Sequence, residues 1–377
     1  MAKRKKKDGK SWLTILAKLP LLLFYPAAIL LVDWAVQHPD KVESVYSAKI
    51  YPVTSSLWSR LFAWLNFSMA EVLLFTLIIA VPFTIVFATV YGAKKGHGLY
   101  SFFNQIVSWA SVAAILYFAM VGGWSLNYHR MPLATTLGYE SQRSSTDELV
   151  DLCEELVERA NTLRAGLDED ADGVLKLPYG KKGALKEVNN IYQRVSENYP
   201  MFAGTYSSPK PIYLSEQLCY TEITGIFIPF TMEANVNVAI LHPLLPSTAC
   251  HEAAHQRGFA REDEANFISY LVCREGGDAY FEYSGTLLAL IHSMNALFSD
   301  DPERFSLIHQ KYSEDMMDDL TAHRLFWQKY EGPVAEKSTQ VNNAYLKHNK
   351  QNDGVKSYGR MVDLLLAERR ERLAEQP

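Results

Sequence analysis

HEAAHQRGFAREDEANF, residues 251–267, contains the pattern His-Glu-x-x-His. His251 and His255 are four residues apart, so both imidazoles lie on one face of a helix and can reach the same metal ion. Glu252 follows the first histidine and can reach a metal-bound water, which makes it the candidate general base. The pattern predicts one zinc ion (Zn2+) per chain, bound on a helix that Ser247 is expected to cap.

The third ligand of this predicted site is expected in the acidic stretch that follows. Gly258 can end the first helix and turn the chain back, and a catalytic zinc usually has three protein ligands and one open position. Glu262 and Glu264 compete for the third place. Asn266 lies one helical turn after Glu262, where its side-chain oxygen could accept a hydrogen bond from a liganding imidazole. This argument favours Glu262, with Glu264 as the alternative ligand.

The chain around the motif has the pattern of a folded domain that is mainly helical, with a smaller β component. Residues 146–165 carry apolar side chains at helical spacing behind a predicted capping box of Ser145 and Glu148. Residues 184–198 are a second predicted helix. Residues 222–230 and 235–240 are rich in β-branched and aromatic residues and are predicted strands, with a turn near residues 232–234. The fold class is therefore α+β for this part of the chain.

Three long apolar stretches precede this domain, at about residues 13–36, 72–93 and 105–126. Each is close to the 20 apolar residues or so that a helix needs to cross a bilayer. Each stretch lacks a charged residue near its middle, which makes an ion pathway or a transporter the least favoured function. The sequence thus predicts three parts: a basic head at 1–11, a membrane region at 12–127 and a soluble domain at 128–377.

Charge predicts the orientation of the membrane region. Residues 1–10 hold six Lys or Arg residues and one Asp, whereas the whole chain carries a formal charge of -5. By the positive-inside rule, the head and the connection after the second helix are cytoplasmic, so the soluble domain is extracytoplasmic in the cell membrane. The lipid bilayer is the first expected partner. The acidic balance argues against a nucleic-acid binder, and the four scattered cysteines are expected to be packed thiols rather than zinc ligands.

HEAAHQRGF followed by EDEANF resembles the gluzincin branch of the HExxH metallopeptidases. With three preceding membrane helices, the chain more closely resembles a bacterial membrane-protein family classed as a zincin-like domain of unknown function. The wider resemblance includes residues 127–130, 345–347 and 357–360. It implies a zincin-like fold for residues 128–377 and makes Tyr358 and Arg360 possible oxyanion donors. Independently of the resemblance, His309 and His323 are weaker candidates for that role. The chain departs from the gluzincin pattern in a short interval between His255 and Glu262 and in an Asn at 266.

The predicted function is a membrane-anchored zinc metallopeptidase that hydrolyses peptide or protein substrates. Zinc would acidify a bound water, and Glu252 would take its proton and pass it to the leaving amine. An exposed strand edge within residues 222–240 could pair with an extended peptide. The alternative is a catalytically inert receptor or scaffold of zincin fold that keeps a structural metal. Glu252 favours the enzyme, because an inert descendant needs no base beside the ligands.

Overall fold

The computed structural model describes residues 12–139, 144–349 and 360–375, so the predicted basic head at 1–11 lies outside the described residues. The described chain is mostly helical and contains one small sheet. Three of its helices are long and apolar enough to cross a membrane: Trp12–Gln37, Met69–Lys94 and Gly98–Gly123. They overlap the three predicted stretches, and the third begins seven residues before its predicted start.

The membrane region begins with a 3-10 turn at Leu19–Leu23 that leads into α1. Its helices are α1 (Phe24–Gln37), α2 (Pro39–Lys41), a π-helical segment (Val42–Ile50), α3 (Tyr51–Arg60), α4 (Met69–Lys94) and α5 (Gly98–Gly123). Lys18 lies inside the first span and donates to the side chains of Asn104 and Ser108 of α5. The polar neighbours explain how this cation is accommodated in an apolar helix.

The remaining elements form the predicted soluble part. After a 3-10 turn at Ser125–His129, the first helices are α6 (Leu133–Leu137), α7 (Thr146–Arg164) and α8 (Gly180–Val195), followed by a 3-10 turn at Pro200–Phe202. The sheet region holds β1 (Lys210–Pro211), α9 (Ser215–Cys219), β2 (Gly225–Ile228) and β3 (Glu233–Val236). The last helices are α10 (Leu245–Gln256), α11 (Glu262–Glu275), α12 (Ala279–Asp300), α13 (Pro302–His309), α14 (Glu314–Gln328), α15 (Pro333–His348) and α16 (Met361–Ala374).

The main hydrophobic core lies between α7, α8, α10, α11, α12 and α16. Helix α7 buries Leu149, Leu152 and Leu156 in it, and the capping box of Ser145 and Glu148 is confirmed at its start. All four cysteines are buried free thiols, as expected. The predicted cap of α10 is wrong: the helix begins at Leu245, with Pro246 in its first turn, and the Ser247 hydroxyl donates to the carbonyl oxygen of Leu244.

The sheet has the order β1-β3-β2, with β1 parallel and β2 antiparallel to β3. The two predicted strands exist, but β3 starts two residues earlier than predicted, because the turn occupies residues 229–232 rather than 232–234. Strand β2 is therefore an edge strand of this sheet, and one side of its backbone is not paired with another strand.

The sheet is attached to the start of α4, one of the three long apolar helices. The buried carboxylate of Glu233 accepts hydrogen bonds from the backbone N–H groups of Met69 and Ala70, which open that helix. Glu71, in the first turn of the same helix, accepts from the backbone N–H groups of Tyr213 and Leu214. Carboxylates at a helix N-terminus satisfy its free N–H groups and its dipole. These contacts place the sheet directly against this end of the membrane region.

Candidate metal centre

The two histidines of the motif lie on the same face of α10, as their spacing predicts. Their ring centroids are 4.6 Å apart and the ring planes are nearly perpendicular, at 89°. Glu262 is the first residue of α11 and reaches back to them: its Oε2 lies 3.2 Å from His251 Nε2 and 3.7 Å from His255 Nε2. Among the described residues, His251, His255 and Glu262 are the group whose ligand atoms meet closely enough to hold a metal ion.

The spacing of the three donors fits zinc. Two ligand atoms that each lie about 2.1 Å from a tetrahedral ion are separated by about 3.4 Å, and the two measured separations, 3.2 and 3.7 Å, fall on either side of that value. Two histidines and one glutamate are also one of the ligand sets found in catalytic zinc sites. The residues therefore fit the predicted metal in chemistry as well as in geometry.

A glycine-ended turn returns the chain from α10 to α11 and places Glu262 beside the histidines. Gly258 adopts a φ of 89°, in the left-handed region that favours glycine. The N–H of Phe259 donates to the carbonyl oxygen of Ala254, and the N–H of Gly258 donates to that of His255, which is the hydrogen-bond pattern of a Schellman motif. A Cβ on Gly258 would lie 2.8 Å from the ring of Tyr51. The predicted role of this glycine as a helix end is confirmed.

The turn also orients one ligand. The Nδ1 atom of His255 lies 2.7 Å from the carbonyl oxygen of Phe259, which fixes the ring so that Nε2 faces Glu262. Arg130 supports the turn from outside: it donates to the carbonyl oxygen of Gly258, lies over the ring of Phe259 and makes a two-pronged ion pair with Glu43. The sequence analysis expected Asn266 to accept a hydrogen bond from one of the imidazoles and did not identify the carbonyl oxygen of Phe259 as a partner.

Electrostatics couple the three ligand residues. Burial alone would raise the pKa of Glu262, but His255 and the hydrogen bonds from both imidazoles outweigh it and hold that pKa below its ordinary range. Burial opposes the charged form of His255, yet Glu262 and Glu252 raise its pKa to about 9. These shifts favour a protonated His255 beside a charged Glu262, and binding of a metal ion would release that proton.

Glu252 is buried and faces the edge strand β2. Burial raises its pKa to about 7, against the opposing effects of the two histidines and of a hydrogen bond with the backbone of Phe227. A pKa near neutral is suited to a group that both accepts and donates a proton. The strand can approach this closely because residue 225 has no side chain: a Cβ on Gly225 would lie 2.5 Å from Glu252 Oε1.

Replacing Gly225 by alanine is expected to slow peptide cleavage about tenfold to hundredfold while zinc content stays unchanged. The new methyl group would displace the carboxylate, and a shift of about 1 Å in a catalytic group can cost about a hundredfold in rate. The measurement is the cleavage rate and the zinc content of the same purified sample. Gly166→Ala is the matched control, because a Cβ there meets only one atom, at 3.8 Å. An unchanged rate in Gly225→Ala would contradict the assigned position of Glu252.

The other predicted site residues lie in different places. Glu264 is buried away from the cluster, where its Oε1 accepts from the backbone N–H of Leu133 and from Arg261. Asn266 lines the cavity beside the ligands, and its predicted hydrogen bond to an imidazole stays a prediction. Arg360 pairs with Asp263 at 3.2 Å and does not line that cavity. Tyr358 lies outside the described residues.

A cavity of about 840 Å³ opens in front of the cluster. Its walls come from the edge strand and the residues around it, from α10 and from the C-terminal helices α14 and α15, and they include Glu252 and the three ligand residues. His323 and Tyr345 also line it. Burial lowers the pKa of His323 and raises that of Tyr345, which lies near enough to Glu262 for the charge of that carboxylate to raise it further. Tyr345 belongs to the segment 345–347 of the wider resemblance, but the sequence analysis gave it no role in the site.

Comparison with known proteins gives one family. Residues 46–366 match the family described as Protein of unknown function (DUF3810). No curated protein and no solved structure matches the chain. The matched range includes α4, α5, the cluster and the cavity in front of it. Because it covers most of the 377 residues, the chain belongs to this family of proteins of unknown function.

Proposed function

We propose that the protein is a membrane-anchored zinc metallopeptidase whose soluble part has a zincin-like fold. The observation that carries the proposal is the cluster of His251, His255 and Glu262 with Glu252 beside it: Glu262 lies 3.2 Å and 3.7 Å from the two imidazoles, close to the donor separation of a tetrahedral zinc ion. A purely structural metal would use a closed set of ligands. Here three donors face a cavity, and a buried carboxylate of near-neutral pKa stands beside them.

A zinc ion held by these residues would lower the pKa of a water molecule to about 7 and would polarise the carbonyl group of a substrate. Glu252 then accepts the proton of the attacking water and delivers it to the leaving amine, so that the base of the first step becomes the acid of the second. His323 and Tyr345 face the same cavity and are the described side chains best suited to donate a hydrogen bond to the oxygen that gains charge.

Strand β2 offers the substrate a binding edge. In an antiparallel pair, every second residue of a strand directs its backbone N–H and C=O groups at the partner strand and the others direct theirs away from it. The carbonyl oxygen of Thr224, just before β2, accepts a hydrogen bond from the N–H of Asn237, just after β3. Phe227, three residues later, therefore directs its backbone groups away from β3, where they meet Glu252. An extended peptide that adds to this edge would lie across the carboxylate and the metal ligands. This supports a polypeptide substrate over a small amide.

We place the metal centre outside the cytoplasm. The head holds six Lys or Arg residues and Lys94 and Lys95 lie where α4 ends, whereas the much longer connection between α1 and α4 holds three Lys or Arg residues; the positive-inside rule therefore assigns the head and the α4–α5 connection to the cytoplasmic side. The cluster belongs to the other end of these helices, because the sheet contacts the first residues of α4.

The test is cleavage of a mixed peptide library by the full-length protein in detergent micelles, followed by mass spectrometry. We expect cleavage that a zinc chelator abolishes and that added Zn2+ restores, because removal of the metal removes the acidified water. Zinc that stays bound without cleavage of any peptide would favour the inert receptor or scaffold instead.

A further inference from the structure

We infer that the substrates are membrane-anchored polypeptides and that the cleaved bond lies close to the bilayer surface. This inference rests on the proposed function and names the substrate class of the same site. It depends on where the cavity lies relative to the apolar helices, on which residues form its rim, and on the chemistry of its walls.

The membrane helix α5 contributes to the cavity directly. Met120, in the last turn of that helix, and Trp124, which follows its end, both line the cavity. Met120 is three positions, or about 5 Å of helix, before Gly123, the last residue of α5. Trp124 also contacts the metal centre: its indole N–H donates to the carbonyl oxygen of His255, and its ring meets the His255 ring edge-on. A single side chain, that of Trp124, thus connects the end of this helix with the proposed reaction centre.

The rim of the cavity next to the edge strand carries the features of a membrane interface. Phe230, at the turn after β2, lines the cavity and accepts a hydrogen bond from the indole N–H of Trp58 through its carbonyl oxygen. Trp58 belongs to a segment, residues 57–67, that directly precedes the membrane helix α4. Five large apolar side chains of this segment are exposed: Leu57, Trp58, Leu61, Trp64 and Phe67. Exposed Trp and Phe beside a membrane helix are typical of the lipid–water boundary.

Away from the metal centre, the walls of the cavity are mainly apolar. They include Ile240, Leu241, Leu244, Leu288, Trp327 and Val341. On the rim, Ile226 and Phe230 are each 41% exposed. An apolar segment gains free energy by leaving water for such walls, whereas a polar peptide gains little. The residues next to a membrane anchor are the part of a polypeptide that reaches both this interface and these walls.

The experiment uses full-length protein reconstituted with a designed substrate in vesicles of phosphatidylcholine and phosphatidylglycerol. The substrate carries a transmembrane Leu/Ala helix of about 22 residues and two identical randomised blocks on the extracytoplasmic side. One block adjoins the helix, and a flexible Gly/Ser linker of about 30 residues holds the other block roughly 30 Å further out. Both blocks share one anchor, so their local concentration differs only through their distance from the bilayer. Mass spectrometry locates the cleaved bonds.

We expect cleavage in the near block to exceed cleavage in the far block at least about tenfold, because the rim and the last turn of α5 receive a chain that leaves the bilayer. Equal cleavage of the two blocks would overturn the inference and leave the proposed function intact. Cleavage of neither block, by protein that contains zinc, would overturn both.

A pair of variants tests the rim itself. Phe230→Asp is expected to reduce near-block cleavage about tenfold while zinc content stays the same, because a charge at the interface repels an apolar segment. Leu307→Asp is the matched control: Leu307 is an exposed apolar residue of α13 that does not line the cavity. Equal loss of near-block cleavage in both variants would contradict a role for the rim.

Discussion

Glu252→Gln is expected to retain its zinc and to lose peptide cleavage by about a thousandfold, which corresponds to about 4 kcal/mol of transition-state stabilisation. Glutamine has nearly the same shape as glutamate, so it can occupy the space beside Gly225, but its amide cannot accept a proton at neutral pH. Glu252 is not one of the three residues whose donor atoms meet, so its replacement leaves the metal ligands in place.

The measurement is the cleavage rate per zinc-loaded chain, with Glu216→Gln as the matched control. Glu216 is an exposed glutamate of α9, outside the cavity, and its replacement is expected to change the rate less than about twofold. Full activity in Glu252→Gln would refute the role of this residue as the base, whereas loss of both zinc and activity would mean that Glu252 holds the metal.

Glu262→Gln is expected to weaken zinc binding, and Glu264→Gln is expected to leave it unchanged. Loss of a residue that only supports a metal ligand typically lowers metal affinity about tenfold to hundredfold. Glu262→Gln removes an anionic ligand itself, so it should lower zinc affinity by more than that. Glu264→Gln should bind zinc normally, because the Glu264 carboxylate pairs with Arg261 and with the backbone of Leu133 rather than with the histidines. Its expected effect is lower stability, since it removes the anionic partner of the partly buried Arg261.

Competition with a fluorescent zinc chelator measures both affinities, and thermal unfolding in detergent measures both stabilities. The two glutamates are two residues apart in the same first turn of α11, so the pair is internally matched. Loss of zinc binding in Glu264→Gln together with normal binding in Glu262→Gln would reverse the ligand assignment.

Local patterns in the sequence predicted the parts of the site that depend on neighbouring residues. A separation of four residues placed His251 and His255 on one face, and Gly258 marked the end of α10. The preference for Glu262 over Glu264 rested on a one-turn relation to Asn266 and agrees with the geometry of the donors. Apolar runs of about 20 residues likewise indicated the three long helices.

Long-range packing determined the parts that local patterns could not predict. The approach of Gly225 to Glu252 joins an edge strand to a helix that begins 20 residues later. Met120 and Trp124, at the end of the apolar helix α5, line the same cavity as His251 and His255, which lie more than 100 residues later in the chain. Such contacts depend on how the elements pack. The identity of one contacting residue does not show which distant residue it contacts. The prediction that Ser247 caps α10 was wrong for a local reason. Proline is well suited to the first turn of a helix, so Pro246 lies inside α10 and the helix begins before Ser247.

The zinc content of the full-length protein, purified without chelators, tests the central claim most directly. Elemental analysis of the wild type beside His255→Ala is expected to find about one zinc ion per chain in the wild type and almost none in the variant. His255 is the ligand whose replacement removes both a donor and the hydrogen bond to the turn at Gly258. A wild-type protein without bound metal, or equal zinc in the two proteins, would contradict the metal centre assigned to His251, His255 and Glu262.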